Sequence, residues 1–208
     1  MRKLESEIKA LMKSETGVKA KERIKEFLDF DSKTEEEWFS ELCFCILTAN
    51  TSAEMGLRVQ KKVSAKKFLL LPEKNLALEL KKAGSRFYNR RANFICSARK
   101  FYGLKELMNS MPKKEKRNFL VKNIKGFGLK EASHFLRNTG NLNYAIIDKH
   151  VFNLCVENNL IKGKKQKLNE KNYFTLEKKL EKLAKKLNLL QGELDLFLWY
   201  MKTGKILK

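Results

Sequence analysis

The chain has 208 residues and a formal net charge of +21, from 45 lysines and arginines against 24 aspartates and glutamates. Its 43% hydrophobic content is enough for a real core, and the lack of any run of about 18 apolar residues excludes a membrane span. The charged N-terminus has no signal-peptide core, so we expect a cytoplasmic, nucleoid-associated protein. The charge favours a polyanionic partner, although lysines spread over solvated faces would give the same total.

Apolar residues recur at helical spacing along nearly the whole chain, and no segment alternates as a half-buried strand would, which predicts an all-α fold. Two overlapping capping boxes, Ser32–Glu35 and Thr34–Glu37, precede a strongly apolar helix that we place centrally. Residues 68–72 are predicted as a short connection, and 163–169 as a basic loop. The expected helices cover about 6–13, 19–27, 73–82, 115–122, 173–187 and 192–203, and others run through 38–47, 57–59, 95–102, 132–136 and 151–156.

Residues 124–130 read Ile-Lys-Gly-Phe-Gly-Leu-Lys, with two glycines flanking one aromatic residue between helix-prone segments. Glycine reaches backbone angles closed to other residues and exposes backbone N–H groups. Such a turn at a helix N-terminus is suited to bind phosphate, and the pattern over 115–138 is the helix-hairpin-helix DNA-binding signature. An ordinary tight turn is the alternative. The predicted contacts to the DNA backbone are Lys125, Gly126, Phe127 and Gly128.

Two further segments suit DNA. Arg86 and Phe87 open a basic, aromatic stretch in which cations can meet phosphates and rings can stack on bases. Inward packing of the rings with solvated arginines is equally compatible with the sequence. Asn50, at the end of the central apolar helix, is a candidate DNA contact or a helix cap.

The four cysteines, Cys43, Cys45, Cys96 and Cys155, have no zinc-site spacing, and we expect reduced, mostly buried thiols. His134 and His150 lack metal-ligand neighbours in the sequence. We therefore predict no metal site and no cofactor.

Lys130 and Asp148 are the candidate catalytic pair. Lys130 lies in the first turn after the glycines, beside the predicted phosphate site. Asp148 follows eighteen residues later, after an apolar Ala-Ile-Ile run that would fix its position firmly. A solvated lysine and a helix N-cap aspartate are the alternatives, and the N-cap is compatible with catalysis.

Together these features resemble the helix-hairpin-helix DNA glycosylase superfamily, and most of all its archaeal-type, type-2 8-oxoguanine DNA glycosylase/lyases. The resemblance spans nearly the whole chain. The hairpin indicates only the superfamily, whereas the C-terminal segment and the compact size indicate the type. It is carried by Glu37 to Phe39, Glu41 to Asn50, Arg86 to Tyr88, Asn123 to Asn138, and Glu193 to Lys205.

The resemblance implies roles for the candidate residues. Lys130 would attack the sugar C1′ of a flipped nucleotide, with β-elimination to follow, and Asp148 would assist. Monofunctional members keep the aspartate and lack this lysine, so Lys130 implies lyase activity. Arg86 and Phe87 would fill the gap in the duplex. Asp195, Trp199 and the carboxylate of Lys208 would contact the damaged base, with a core aromatic as the alternative for Trp199.

The same resemblance implies two helical lobes with an active-site cleft between them. One lobe covers about 33–147, a helical barrel with the hairpin at 115–138, and the other covers 1–32 with 148–208. The expected function is excision of 8-oxoguanine by a monomer acting on double-stranded DNA that contains the oxidised guanine, with no membrane partner. A glycosylase for another oxidised or mispaired base and a non-catalytic DNA-binding module remain open.

Overall fold

The protein was analysed as a computed structural model that describes residues 2–161 and 168–208. Most of the loop predicted at 163–169 lies outside the described residues. Within the described ranges the chain forms thirteen α-helices, two short 3₁₀ turns and no strand, which confirms the all-α prediction. The helices are α1 (Arg2–Met12), α2 (Glu15–Leu28), α3 (Glu35–Thr48), α4 (Ala53–Lys62), α5 (Ala65–Leu70), α6 (Glu73–Lys82), α7 (Tyr88–Ala98), α8 (Leu104–Ser110), α9 (Lys113–Asn123), α10 (Leu129–Asn138), α11 (Lys149–Glu157), α12 (Glu170–Lys186) and α13 (Gln191–Thr203).

Two short helices differ from the prediction. Residues 65–70 form α5 where most of the predicted connection lies, because the Ser64 hydroxyl caps the first turn and Phe68 is fully buried. The helix α8 was not predicted at all, and it begins after Gly103 at φ 92°. Of the two overlapping capping boxes, only Thr34–Glu37 forms. The Glu37 carboxylate accepts from the Thr34 N–H at 2.8 Å, and the Glu37 N–H donates to the Thr34 hydroxyl at 3.3 Å.

The chain divides into two compact units: a hairpin unit, Phe30–Thr139, and a terminal unit, Met1–Asp29 with Gly140–Lys208. Residues 140–147, which the sequence analysis placed in the same lobe as the hairpin, belong to the terminal unit. Long-range hydrogen bonds explain this assignment. The Gly192 N–H donates to the Leu142 carbonyl at 2.8 Å, and the Tyr173 hydroxyl donates to the Ala145 carbonyl at 2.7 Å.

In the hairpin unit, α3 is the central helix and contacts α4, α5, α7, α8 and α10. Every residue from Trp38 to Thr48 except Ser40 is buried, as its almost uniform apolarity predicts. The Trp38 ring packs edge-on against Phe135 of α10, with 5.9 Å between centroids. At the far end of α10, the Asn138 amide donates to the buried Glu41 carboxylate at 2.6 Å. These contacts fix α10 on the core of its unit.

In the terminal unit, α13 contacts α1, α2, α11 and α12. Leu194, Leu196 and Leu198 are buried on it, so it forms the centre of this unit. In the described part of the chain, no helix has both the length and the apolarity that crossing a bilayer requires.

Candidate functional site

The turn between α9 and α10 requires a glycine at position 126. Gly126 has φ 89°, in the left-handed region that side chains rarely adopt. A Cβ built there would lie 2.5 Å from Cδ2 of Phe94 on α7. Backbone conformation and close packing therefore both exclude a side chain at position 126. The same packing holds the turn against α7.

The apolar residues of the turn face the core. Ile124 and Phe127 are 2% and 7% exposed, and the Phe127 ring lies 6.4 Å from that of Phe135. The Phe127 N–H is also occupied, because it donates to the Ile124 carbonyl at 3.1 Å. Phe127 therefore anchors the turn on the core of its unit.

The start of α10 has an open backbone. Gly128 is the N-cap residue, in extended conformation, and has no side chain that could cap the helix. Its own N–H donates to the Glu131 carboxylate at 3.2 Å. Among the described residues, no acceptor takes the N–H groups of Gly126, Leu129 and Lys130, while Lys125 is exposed beside them. Unpaired N–H groups at a helix N-terminus are a binding site for an anion such as phosphate.

Lys130 is the second residue of α10 and is largely shielded. Its side chain is only 22% exposed, and its Nζ lies 3.8 Å from Oε1 of Glu131. One carboxylate thus contacts both the Gly128 N–H and the Lys130 ammonium group. Glu131 was not among the site residues predicted from the sequence, although its spacing from Gly128 is that of the N3 residue of a capping box from its N-cap.

Asp148 is the N-cap of α11, as one reading of the sequence predicts. Its Oδ1 accepts from the Val151 N–H at 2.8 Å. The apolar residues 145–147 before it are buried, and the Ile147 N–H donates to the hydroxyl of Tyr173 at 3.4 Å. Within the part of the chain that the structure describes, nothing donates to Oδ2, and Asp148 is half-buried. One oxygen therefore holds the side chain in place while the other stays available.

Asn50 and the Arg86–Phe87 pair lie on exposed turns of the hairpin unit. Phe87 is 55% exposed and is the N-cap of α7, so its ring does not pack inward. The Arg86 guanidinium lies over that ring, 5.2 Å from its centroid. Asn50 is exposed at the end of α3 with φ 56°.

The predicted base-pocket residues lie in the terminal unit. Asp195 is buried on α13, and Trp199 is half-buried one helical turn later. Among the described residues no aromatic ring packs on Trp199, in contrast to Trp38. Lys208 is half-buried. A cavity of about 480 Å³ lies nearby, lined by α2 and by Tyr200 and residues 204–207, but none of the three predicted residues lines it.

The cysteines are free, and Cys43, Cys45 and Cys155 are buried. Burial raises the pKa of the Cys155 thiol to about 12 and that of Cys43 well above its ordinary value. Among the described residues, no group of three or more His, Cys, Asp or Glu side chains could hold a metal ion.

An all-α chain in which a glycine turn joins two helices and opens the backbone at the start of the second defines the class of helix-hairpin-helix DNA-binding proteins. The family model described as 8-oxoguanine DNA glycosylase matches residues 20–189. An 8-oxoguanine DNA glycosylase/AP lyase of Methanocaldococcus jannaschii is 47% identical over 202 residues, 97% of each chain. The chain belongs to the 8-oxoguanine DNA glycosylase family.

Two solved structures share this fold. The M. jannaschii 8-oxoguanine glycosylase/lyase in complex with a 15mer DNA containing 8-oxoguanine has a TM-score of 0.95 at 46% identity, covering 99% of both chains. The 8-oxoguanine DNA glycosylase of Thermotoga maritima has a TM-score of 0.91 at 42% identity, covering 100% of this chain and 99% of that one.

Proposed function

We propose that this protein removes 8-oxoguanine from double-stranded DNA and then cuts the strand, with Lys130 as the nucleophile. The observation that carries the proposal is the position of Lys130, a shielded amine in the first turn of a helix whose N–H groups are open to a phosphate. The family supports the reaction, since relatives 47% and 43% identical are named 8-oxoguanine DNA glycosylase/AP lyase.

Lys130 Nζ would attack C1′ of the flipped nucleotide, and the bond from C1′ to the base would break with its electron pair leaving on the base. The nitrogen then loses a proton, the C1′–O4′ bond breaks, and O4′ takes up a proton, which leaves an imine between Nζ and C1′ of the opened sugar. The imine makes a C2′ proton acidic, and its removal expels the 3′ phosphate by β-elimination. An amine is required because an alcohol or thiol at this position cannot form the imine.

Asp148 would stabilise the positive charge that develops on the sugar as the base departs. The hydrogen bond from the Val151 N–H fixes Oδ1, so Oδ2 would be held at a defined place at low entropic cost. The N-cap geometry and the catalytic role are therefore compatible.

The hairpin would hold the lesion strand by its phosphates. The open N–H groups of Gly126, Leu129 and Lys130 would donate to a phosphate oxygen, and Lys125 would add charge. Phe127 would keep the turn on the core. Because Lys130 follows Gly128 by two residues, a bound phosphate would set the reach of the amine to the sugar.

The duplex would be opened and the base read by the remaining residues. Arg86, Phe87 and Asn50, exposed on their turns, would occupy the gap that the flipped nucleotide leaves. Asp195, Trp199 and Lys208 would contact the damaged base, Trp199 by stacking. We further propose that the protein acts as a monomer on the DNA of the nucleoid, and light scattering of the protein on a short duplex would report this stoichiometry.

A single-turnover assay on a labelled duplex tests the activity. We expect the 8-oxoguanine strand to be cut without added alkali, leaving the 3′ unsaturated aldehyde end that β-elimination produces. A matched set of duplexes with an oxidised pyrimidine or a mismatch tests the substrate. Equal or faster excision of one of these lesions would contradict 8-oxoguanine as the substrate, and binding with no cleavage of any duplex would contradict the enzyme.

A further inference from the structure

Two exposed turns of the hairpin unit hold non-glycine residues in the left-handed conformation: Asn50 at φ 56° and Phe87 at φ 54°. Asparagine tolerates this region, but phenylalanine does not, and the conformation costs about 1–2 kcal/mol for such a residue. Phe87 is also 55% exposed, so burial of its ring offsets little of the cost. Contacts from elsewhere must therefore hold these turns.

Arg91 makes those contacts. It lies one turn into α7, is 3% exposed, and directs its guanidinium toward both turns. On the first turn it donates to the Ala49 carbonyl at 2.9 Å and to the Thr51 hydroxyl at 3.0 Å, the residues on either side of Asn50. On the second turn it donates to the Ser85 hydroxyl at 3.0 Å and lies 6.0 Å from the centroid of the Phe87 ring.

The guanidinium is buried without an acidic partner. Among the described residues its partners are a carbonyl, two hydroxyls and the sulfur of Met55, and no carboxylate contacts it. Burial and the nearby Arg86 lower the pKa of Arg91 to about 10, so it remains a cation at neutral pH. A buried, uncompensated charge is expensive, and an apolar side chain of the same length would pack more cheaply. An apolar residue cannot replace the planar guanidinium group, which donates hydrogen bonds in several fixed directions.

We propose that Arg91 is a positioning residue that clamps the turns at Asn50 and Arg86–Phe87 into one rigid, two-pronged surface for distorted DNA. The proposal rests on the proposed function in one respect, namely that these two turns face the DNA. Arg91 itself would not touch DNA, because it is buried beneath them. Without the hydrogen bonds from Arg91, Phe87 would relax to negative φ and the two turns would move independently. The loss would then fall on opening of the duplex and not on the covalent chemistry at Lys130.

The test uses the full chain and a duplex with a tetrahydrofuran abasic residue opposite 2-aminopurine, a base that fluoresces when it is unstacked. This readout requires no excision. We expect the wild-type protein to raise the fluorescence on binding, and Arg91→Met to give less than about half of that rise at saturating protein. On an 8-oxoguanine duplex, single-turnover excision by this variant should slow about tenfold. Borohydride trapping on a single-stranded abasic oligonucleotide should stay within about twofold of wild type, because that substrate needs no opening.

Arg99→Met is the matched control. Arg99 also holds backbone carbonyls, those of Phe68 at 2.9 Å and Leu71 at 2.6 Å, but its connection contains no residue at positive φ. Arg99→Met removes these hydrogen bonds as Arg91→Met removes its own, and it should leave the fluorescence rise intact. If both variants reduce the rise equally, loss of stability explains the effect and the proposal is wrong.

Arg91→Lys keeps the positive charge but lacks the planar guanidinium group. It tests the positioning role of Arg91 even if Arg91→Met does not fold. We expect the lysine variant to lose at least about half of the fluorescence rise, since one ammonium group cannot span both turns. A full rise with Arg91→Lys would overturn the proposal, and so would the absence of any rise with the wild-type protein. A wild-type protein that unstacks the probe but excises no 8-oxoguanine would contradict the proposed function and leave the clamp intact.

Discussion

The helices α10 and α11 begin in opposite ways. At α10 the N-cap is Gly128, which has no side chain, and no acceptor among the described residues takes the N–H groups of Leu129 and Lys130, so they are available to an anion. At α11 the N-cap is Asp148, whose carboxylate closes the helix by accepting the Val151 N–H. The first helix start is thus open to a ligand, whereas the second is closed by the residue proposed to act on the substrate. The start of a helix can therefore supply either a binding site or a fixed functional group, according to the residue that caps it.

The largest expected effect is at Lys130. Lys130→Gln removes the amine while keeping a polar side chain of similar length, and we expect single-turnover release of 8-oxoguanine to fall by about a thousandfold or more. Lys122→Gln, which removes the same charge from the exposed surface of α9, is the control. Comparable losses in the two variants would mean that charge, and not a nucleophile, matters at α10.

Asp148→Asn separates the two roles of the cap on α11. Asparagine caps a helix as well as aspartate does, so the melting temperature should change little. The negative charge is lost, and we expect single-turnover excision to slow about a hundredfold or more, with binding to an uncleavable duplex retained. If the variant melts far below wild type, the carboxylate is needed for the fold and the rate would not report on catalysis.

The two glycines of the hairpin should respond differently to alanine. Gly126→Ala forces a side chain into positive φ and against Phe94, and should destabilise the hairpin unit by about 2 kcal/mol or more, as measured by denaturant unfolding. The extended backbone at Gly128 admits a Cβ, whose nearest neighbour would be Oε2 of Glu131 at 3.4 Å. Gly128→Ala should thus cost less than about 1 kcal/mol of stability.

The methyl group of Gly128→Ala would instead obstruct the open N–H groups, and we expect the Kd for an uncleavable duplex to rise about tenfold. Equal stability losses for the two glycine variants would contradict the assigned geometry. An unchanged Kd for Gly128→Ala would mean that phosphate does not bind at the start of α10.

The smallest effect concerns the cysteine at the far end of α11. Burial raises the pKa of Cys155 to about 12, so at pH 8 it should stay a protonated thiol and resist alkylation by iodoacetamide in the folded protein. Asp148→Asn should leave this protection in place, whereas Asp148→Ala, which removes the cap, should weaken it. Mass spectrometry of the Cys155 peptide gives the measurement, and rapid alkylation in wild type would show that α11 is not packed as described.

Local signals explain what the sequence predicted well. The predicted bounds 73–82 match α6 because Pro72 marks its start and Gly84, at φ 84°, follows its end. The six-residue α5 was missed because so short a helix leaves little periodicity to detect. Assignment of residues 140–147 to the terminal unit depends on hydrogen bonds to α12 and α13, which no local pattern reveals.

The residues of the candidate site also differ in whether local sequence or long-range contacts reveal them. Lys130 and Asp148 were identified from residues next to them in the chain, and the structure places both at helix starts. The burial of the Phe127 ring could not be judged from the sequence, because it depends on contact with Phe135. Arg91 stands out only when its contacts with the turn at 49–51 are known, about 40 residues away in sequence.

Borohydride trapping on a duplex containing 8-oxoguanine tests the central claim most directly, because reduction fixes the imine between protein and sugar. We predict a covalent adduct with wild-type protein and with Lys122→Gln, no adduct with Lys130→Gln, and a modified peptide that maps to Lys130. An adduct that survives Lys130→Gln, or one that maps to another lysine, would contradict the assignment of the nucleophile to the open helix start.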